Sequence, residues 1–85
     1  MRGRPPTPMY DPLQAAYADL EGGAMSYATA AAFTTLSEKE IERAVLAGEI
    51  EAFPHGRRTL LVPKSVRMWL AKKLAAARAE RQGRQ

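Results

Sequence analysis

The chain has 85 residues, enough for one small domain with a modest hydrophobic core and too few for a second. It contains no cysteine, which excludes a disulfide framework and a thiolate metal site and is compatible with a reducing compartment. The first ten residues lack the apolar core of a signal peptide, and the longest uncharged run, 22–37, is too polar and too short to span a bilayer. We therefore expect a cytoplasmic protein.

The formal net charge of +4 is distributed unevenly. Residues 1–51 hold four basic and eight acidic side chains, whereas residues 52–85 hold nine basic side chains and a single acid, Glu80. A one-sided positive surface is typical of polyanion-binding proteins, because each lysine or arginine placed on a phosphate releases condensed counterions. The alternative interpretation is a solvated basic tail that keeps the protein soluble.

The N-terminal part predicts an arm followed by an accessory helix. Residues 1–10 are rich in proline and arginine without apolar periodicity, so we expect a disordered arm. In residues 11–24, Asp11 is a candidate N-cap, Pro12 suits the first helical position, and Gly22 lies beyond the helix end. Helical spacing predicts one apolar stripe on this helix, made of Leu13, Ala16, Tyr17 and Leu20.

The next part, which opens the domain predicted for residues 25–74, shows two short helices joined by a tight turn. Ser26 is a candidate N-cap of the first helix. Ser37 and Glu40 form a capping-box pattern for the second, and Gly48 follows its end. A turn within residues 34–37 fits a helix-turn-helix. The residues predicted to face the core are Tyr27, Ala30, Ala31, Ile41, Ala44 and Val45.

A hairpin and a last helix complete the chain. The Pro54-His55-Gly56 tip separates two short strands, and Pro54 places the first strand at a sheet edge. The helix from Pro63 is expected to leave the core and fray before Gly83, with residues 75–85 as a basic helical tail. Apolar candidates are Ile50, Phe53, Leu60 and Val62 in the hairpin, and Val66, Trp69, Leu70, Lys73 and Leu74 by spacing in the helix. Leu61 is expected to face solvent or a neighbouring subunit, and Trp69 to be the largest core residue rather than a base-stacking platform.

The residue types argue against an enzyme. One histidine, no cysteine and no glycine-rich phosphate loop leave no conventional metal triad or nucleophilic triad within one chain. His55 lies at the hairpin tip, where it faces solvent or a phosphate. Three acids near the start of the second helix are best explained by capping and the helix dipole: Glu38, Glu40 and Glu42. We expect no catalytic residue, no cofactor and no metal site.

The order of elements resembles a known family. From Met25 to Leu70 the chain is similar to the excisionase and MerR-type winged helix-turn-helix family of small DNA-binding domains. The resemblance rests on an ordered set of short signatures: "SYATAAAFTTL" as the first helix, "AGEI" at 47–50, Gly-Arg-Arg at 56–58, then Pro63 and an aliphatic-x-x-Trp-Leu pattern at 66–70. It implies a mostly α fold with a small β-hairpin, here with an extra N-terminal helix and an extended C-terminal helix.

The resemblance also implies a site on double-stranded DNA. The second helix would lie in the major groove, and the wing would place arginines on the backbone or in a minor groove. The implied DNA-binding residues are Ser37, Lys39, Glu40, Arg43, His55, Arg57, Arg58, Thr59, Lys64 and Arg67. Two features of this chain differ from the family pattern. Thr35 stands where the family usually has a turn glycine, which predicts a wider or strained turn. Glu38 and Glu42 stand where basic or aromatic residues are frequent, and their carboxylates would repel phosphates.

Three functions stay open at this point. The first is an excisionase-type accessory protein that binds a short duplex site, bends it, and assembles with an integrase or with further copies of itself. The second is a small transcriptional regulator or phage repressor, with the accessory helix as a dimer or partner surface. The third is a protein-interaction adaptor on a helix-turn-helix scaffold, suggested by the acids in the second helix.

Overall fold

A computed structural model describes residues 11–83, which form four helices and a small antiparallel sheet. The elements are α1 (Pro12–Asp19), α2 (Tyr27–Thr34), α3 (Glu38–Leu46), β1 (Ala52–His55), β2 (Arg58–Leu61) and α4 (Pro63–Gly83). This confirms the prediction of a mostly helical chain with a small hairpin, an additional first helix and a long last helix. The predicted arm, residues 1–10, lies outside the described residues, as do residues 84–85.

The first three helices begin where the capping residues predict. The side-chain oxygens of Asp11, Ser26 and Ser37 each accept a hydrogen bond from a backbone N–H group two or three residues later, at 3.1, 3.1 and 3.2 Å. These bonds satisfy donors that have no partner within the helix. Replacing such a cap by alanine typically costs about 1 kcal/mol.

The core lies between α2, α3, the start of α4 and the sheet. Helical and strand spacing predicted most of its members correctly, and Tyr27, Ala31 and Val45 pack against its rim. Leu61 is the exception, because the expectation that it faces solvent is wrong: its exposed fraction is 0%. The buried apolar cluster is Ala30, Ile41, Ala44, Ile50, Leu61, Val66 and Trp69.

The turn between α2 and α3 is built from two threonines. Thr34 is buried, and its hydroxyl donates to the Ala30 carbonyl at 2.9 Å and accepts from the Leu36 N–H at 3.2 Å. Thr35 has φ 62° and ψ 18°, the left-handed conformation, and no other non-glycine residue in 11–83 has a positive φ. A β-branched residue rarely adopts this conformation. The turn is therefore tight and strained.

The sheet pairs β1 with β2 and adds one further residue. The register is Ala52 with Leu61, Phe53 with Leu60, Pro54 with Thr59 and His55 with Arg58. Met25 bonds to the outer edge of β2, exchanging two backbone hydrogen bonds with Leu61 of 2.7 and 3.0 Å. In an antiparallel hairpin, hydrogen-bonded pairs alternate with non-hydrogen-bonded pairs, and the His55–Arg58 pair next to the turn is hydrogen-bonded. Pro54 therefore belongs to a non-hydrogen-bonded pair, in which β2 needs no N–H group from it. Pro54 thus lies on the outer edge strand, as predicted.

Helix α1 divides its predicted apolar stripe between solvent and the domain. Leu13 and Tyr17 are 78% and 79% exposed, and α1 has no buried residue. Ala16 and Leu20, the other two members of the stripe, line a groove shared with Phe53 of the hairpin. On the same side, Asp19 forms an ion pair with Lys64 of α4 (3.5 Å).

Helix α4 leaves the core after its first two turns. Val66 and Trp69 are buried, Leu70 is half-buried, and every residue from 71 to 83 is exposed, including Lys73 and Leu74 of the predicted stripe. The expected projection is confirmed, whereas the expected fraying before Gly83 is wrong, because the helix continues to that residue. Alanine, arginine, lysine and glutamine dominate this part, and their high helix propensity explains why it stays helical without burial.

Candidate nucleic-acid interface

The hairpin tip presents two arginines to solvent. Gly56 and Arg57 form the two-residue connection, with φ +63° at Gly56 and a negative φ at Arg57, the pattern of a type II′ turn that requires glycine at its first central position. His55, Arg57 and Arg58 are exposed, and Thr59 is half-buried on β2. The tip therefore presents exposed side-chain donors at the end of a two-stranded hairpin.

The outward face of α3 is defined by its position opposite the core. Ile41 and Ala44 are buried, so residues about half a turn away point to solvent. These are Lys39 and Leu46, flanked on either side by Glu42 and Arg43. Leu46 is 80% exposed and was not among the predicted site residues. The same periodicity that predicted the buried face could have identified it.

Ser37 and Glu40 occupy less outward positions. The Ser37 oxygen accepts from the Glu40 N–H, so this hydroxyl caps α3, although its proton remains available for donation. Glu40 and Arg43 line a shallow open groove that is shared with Trp69 and Lys73 of α4. Of the four residues on this helix that were predicted to face the DNA major groove, Lys39 points outward, Arg43 lies between the outer face and the groove beside α4, and Glu40 lies on the α4 side.

The acidic side chains of α3 stay at the surface. Glu38 and Glu42 are exposed, as is Glu40, so α3 carries three carboxylates and two basic side chains. Glu38 and Glu40 lie in the first helical turn, where negative charge complements the helix dipole. Glu42 lies outside that turn and has no such explanation. The charge of α3 alone therefore does not favour binding to a polyanion. The positively charged surface is formed by the hairpin and α4.

The two predicted site residues on α4 have different surroundings. Lys64 pairs with Asp19, which offsets part of its charge, although both side chains keep substantial exposure (63% and 36%). Arg67 is exposed one turn further along the helix. The structure therefore places the ten candidates on three parts of the fold: α3 with its N-cap, the hairpin, and the start of α4.

Trp69 and its neighbours connect these surfaces. Its ring is 7% exposed, its Nε1 donates to Glu49 at 3.0 Å, and the Lys73 ammonium lies 4.5 Å from the ring centroid. A cation at this distance from an aromatic ring is attracted by its quadrupole. The prediction that Trp69 belongs to the core is confirmed. Its hydrogen bond to Glu49 joins α4 to the segment that follows α3.

Within residues 11–83, no group of three or more histidine, aspartate or glutamate side chains is arranged to bind a metal ion. In the same part of the chain, no helix combines the length and the apolar character needed to cross a bilayer. Comparison with models of known protein families, with curated proteins and with solved structures gives no match for this chain.

Proposed function

We propose that this protein binds double-stranded DNA as a winged helix-turn-helix protein of the excisionase type. In this proposal the outer face of α3 enters the major groove and the hairpin is the wing, with Arg57 and Arg58 on the backbone or in a minor groove. Bound in this way, the protein bends its site and assists site-specific recombination. Its further partners are an integrase or additional copies of itself.

The observation that carries the proposal is the exposed Arg57-Arg58 tip on a two-residue turn. Gly56, with a positive φ, closes this turn, so both arginines project from the end of a short hairpin. Arginine suits a narrow, electronegative minor groove, which A·T-rich sequences provide without any hydrogen bond to a base. The resemblance of residues 25–70 to the excisionase family supports the same assignment.

The outer face of α3 supports a secondary, base-reading role. Lys39 and Arg43 can donate to phosphates or to guanine, and Leu46 offers an apolar contact that fits a thymine methyl group. The three carboxylates limit what α3 contributes to affinity. We therefore assign most of the binding free energy to the wing and the selection of sequence to α3.

The test is a salt titration of binding to a mixed pool of short duplexes. Wild-type protein should bind with a log–log salt slope of about −0.9 per phosphate contact. Arg57→Ala/Arg58→Ala should reduce both affinity and slope, whereas Arg57→Lys/Arg58→Lys should keep the slope and lose preference for A·T-rich sequence. All four substitutions are at exposed positions, so we expect the fold to be kept, which circular dichroism checks. Absence of duplex binding by the wild type at low salt would refute the proposal.

The exposed α1 face favours a second candidate role. Leu13 and Tyr17 project from a helix that buries none of its residues, as expected for a regulator that uses α1 to contact a partner or another copy. An integrase excision assay separates the two roles, because an accessory factor shifts recombination toward excision and a repressor leaves its direction unchanged. The adaptor alternative requires salt-resistant binding to a protein together with no duplex affinity.

A further inference from the structure

The exposed part of α4 has a directional charge pattern that the proposed function does not use. Arg67, Arg78 and Arg81 fall within an arc of about 60° when residues are placed every 100° around the helix. We call these three residues the arginine stripe. At 1.5 Å per residue the stripe is about 21 Å long. It begins beside the core and continues along the part of α4 in which every residue from 71 to 83 is exposed.

The stripe is available for a ligand. All three arginines are exposed, and the ion pair found within residues 11–83 involves Lys64 and Asp19 instead. The other lysines of this region lie elsewhere on the helix: Lys73 is over the Trp69 ring, and Lys72 projects from the opposite side. Short isolated helices are only marginally stable in water. A partner that binds along the length of this unpacked helical extension would therefore stabilise it.

The chemistry of the stripe fits a phosphate backbone better than a protein or a membrane surface. Protein interfaces depend on buried aromatic or aliphatic anchors, and the stripe contains only Leu74 as a large apolar side chain. Membrane-surface helices need a continuous apolar face, whereas the remaining positions here are mainly alanine. A row of guanidinium groups matches a polyanion that stays hydrated, and 21 Å corresponds to about six base pairs of duplex.

We propose that the arginine stripe binds the sugar-phosphate backbone of the DNA next to the site held by α3 and the wing. This inference rests on the proposed duplex binding and extends it to a second, sequence-independent contact. It assigns Arg78 and Arg81, outside the predicted domain, to the DNA-binding surface. The extension of α4 then increases affinity and salt dependence without changing which sequence is selected.

A charge-relocation experiment tests the proposal. Arg78→Gln/Arg81→Gln removes the outer stripe while keeping good helix formers. The matched control adds Ala76→Arg/Ala79→Arg to the same protein, which restores the net charge and the three-residue spacing about 160° around the helix. Ala76 and Ala79 are exposed. Circular dichroism and the fluorescence of Trp69 verify that each variant keeps the fold.

The proposal predicts that the magnitude of the salt slope falls by about 1.8 in the double variant, the value for two lost phosphate contacts, and stays reduced in the relocated variant. An unchanged slope in the double variant, or full recovery in the relocated variant, would overturn it.

Loss of binding to vesicles of phosphatidylglycerol and phosphatidylcholine, with duplex binding unchanged, would instead assign the stripe to a membrane surface. If the wild type binds duplex and only Arg57→Ala/Arg58→Ala weakens it, the proposed function survives and the stripe does not. If the wild type does not bind duplex at all, both fail.

Discussion

Trp69 and Glu49 join two helices that are distant in the chain. The indole Nε1 of Trp69 on α4 donates to a carboxylate oxygen of Glu49, three residues after the end of α3, at 3.0 Å. Lys73 lies against the same ring. The hydrogen bond is partly buried, and it holds the helix proposed to read the major groove against the helix that carries the arginine stripe.

Removing the Glu49 acceptor should therefore weaken the fold. We expect Glu49→Ala to lower the free energy of unfolding by about 1 kcal/mol, because the indole N–H loses its partner. Glu49→Gln keeps an acceptor oxygen and should cost less. Urea unfolding followed by the fluorescence of Trp69, the only tryptophan, measures both variants. Equal stability of Glu49→Ala and wild type would mean that water replaces the carboxylate.

Adjacent leucines on β2 should respond very differently to truncation. Leu61 is fully buried, so Leu61→Ala should cost about 2–5 kcal/mol through lost transfer energy and a cavity. Leu60 is half-buried on the other face of the strand, and Leu60→Ala should cost clearly less. Thermal unfolding of the two variants gives the comparison. Similar losses at both positions would contradict the difference in burial between the two leucines.

The strained turn offers a stabilising substitution. Thr35→Gly should raise the free energy of unfolding by about 1 kcal/mol, because glycine adopts the left-handed conformation without the Cβ clash. Thr35→Ala is the matched control and should not give this gain, since alanine keeps the Cβ. Chemical denaturation of both variants decides the matter. A destabilised glycine variant would show that the threonine hydroxyl contributes more than the strain costs.

The carboxylate of Glu42 should oppose DNA binding. If α3 enters the major groove, Glu42→Gln removes a like charge near the phosphates and should tighten duplex binding several-fold at low salt, with less effect at high salt. Glu21→Gln removes the same charge from the segment after α1 and should have little effect. Fluorescence anisotropy with labelled duplex measures both. No difference between the two variants would place α3 away from the DNA.

Local chemistry made most of the fold predictable. The starts of three helices could be predicted from one capping residue each: Asp11, Ser26 and Ser37. This works because the side-chain oxygen of a capping residue bonds to a backbone N–H group no more than three residues away. The buried faces of α3 and α4 followed from spacing, because each helix has one apolar side. Such signals need no knowledge of the rest of the molecule.

The errors arose where the answer depended on distant partners. The prediction that Leu61 faces solvent or a neighbouring subunit is wrong, because Leu61 is buried and its backbone is bonded to Met25, which lies 36 residues earlier in the chain. Helical spacing placed Leu13, Tyr17 and Leu20 on one stripe, but it could not show that Leu13 and Tyr17 stay exposed while Leu20 lines a groove beside the hairpin. For the candidate site, spacing predicted an exposed Lys39 and Arg43 and could have predicted Leu46, whereas the turn of Glu40 toward Trp69 requires the packing of α4.

The placement of Pro54 and Met25 also determines how the small sheet meets other molecules. Met25 occupies the outer edge of β2, and the exposed edge of β1 presents a proline that has no N–H to donate. An incoming strand would find few backbone groups to pair with on either side. The hairpin therefore offers little template for strand addition, so copies of the chain held close together would meet through side chains and remain separable.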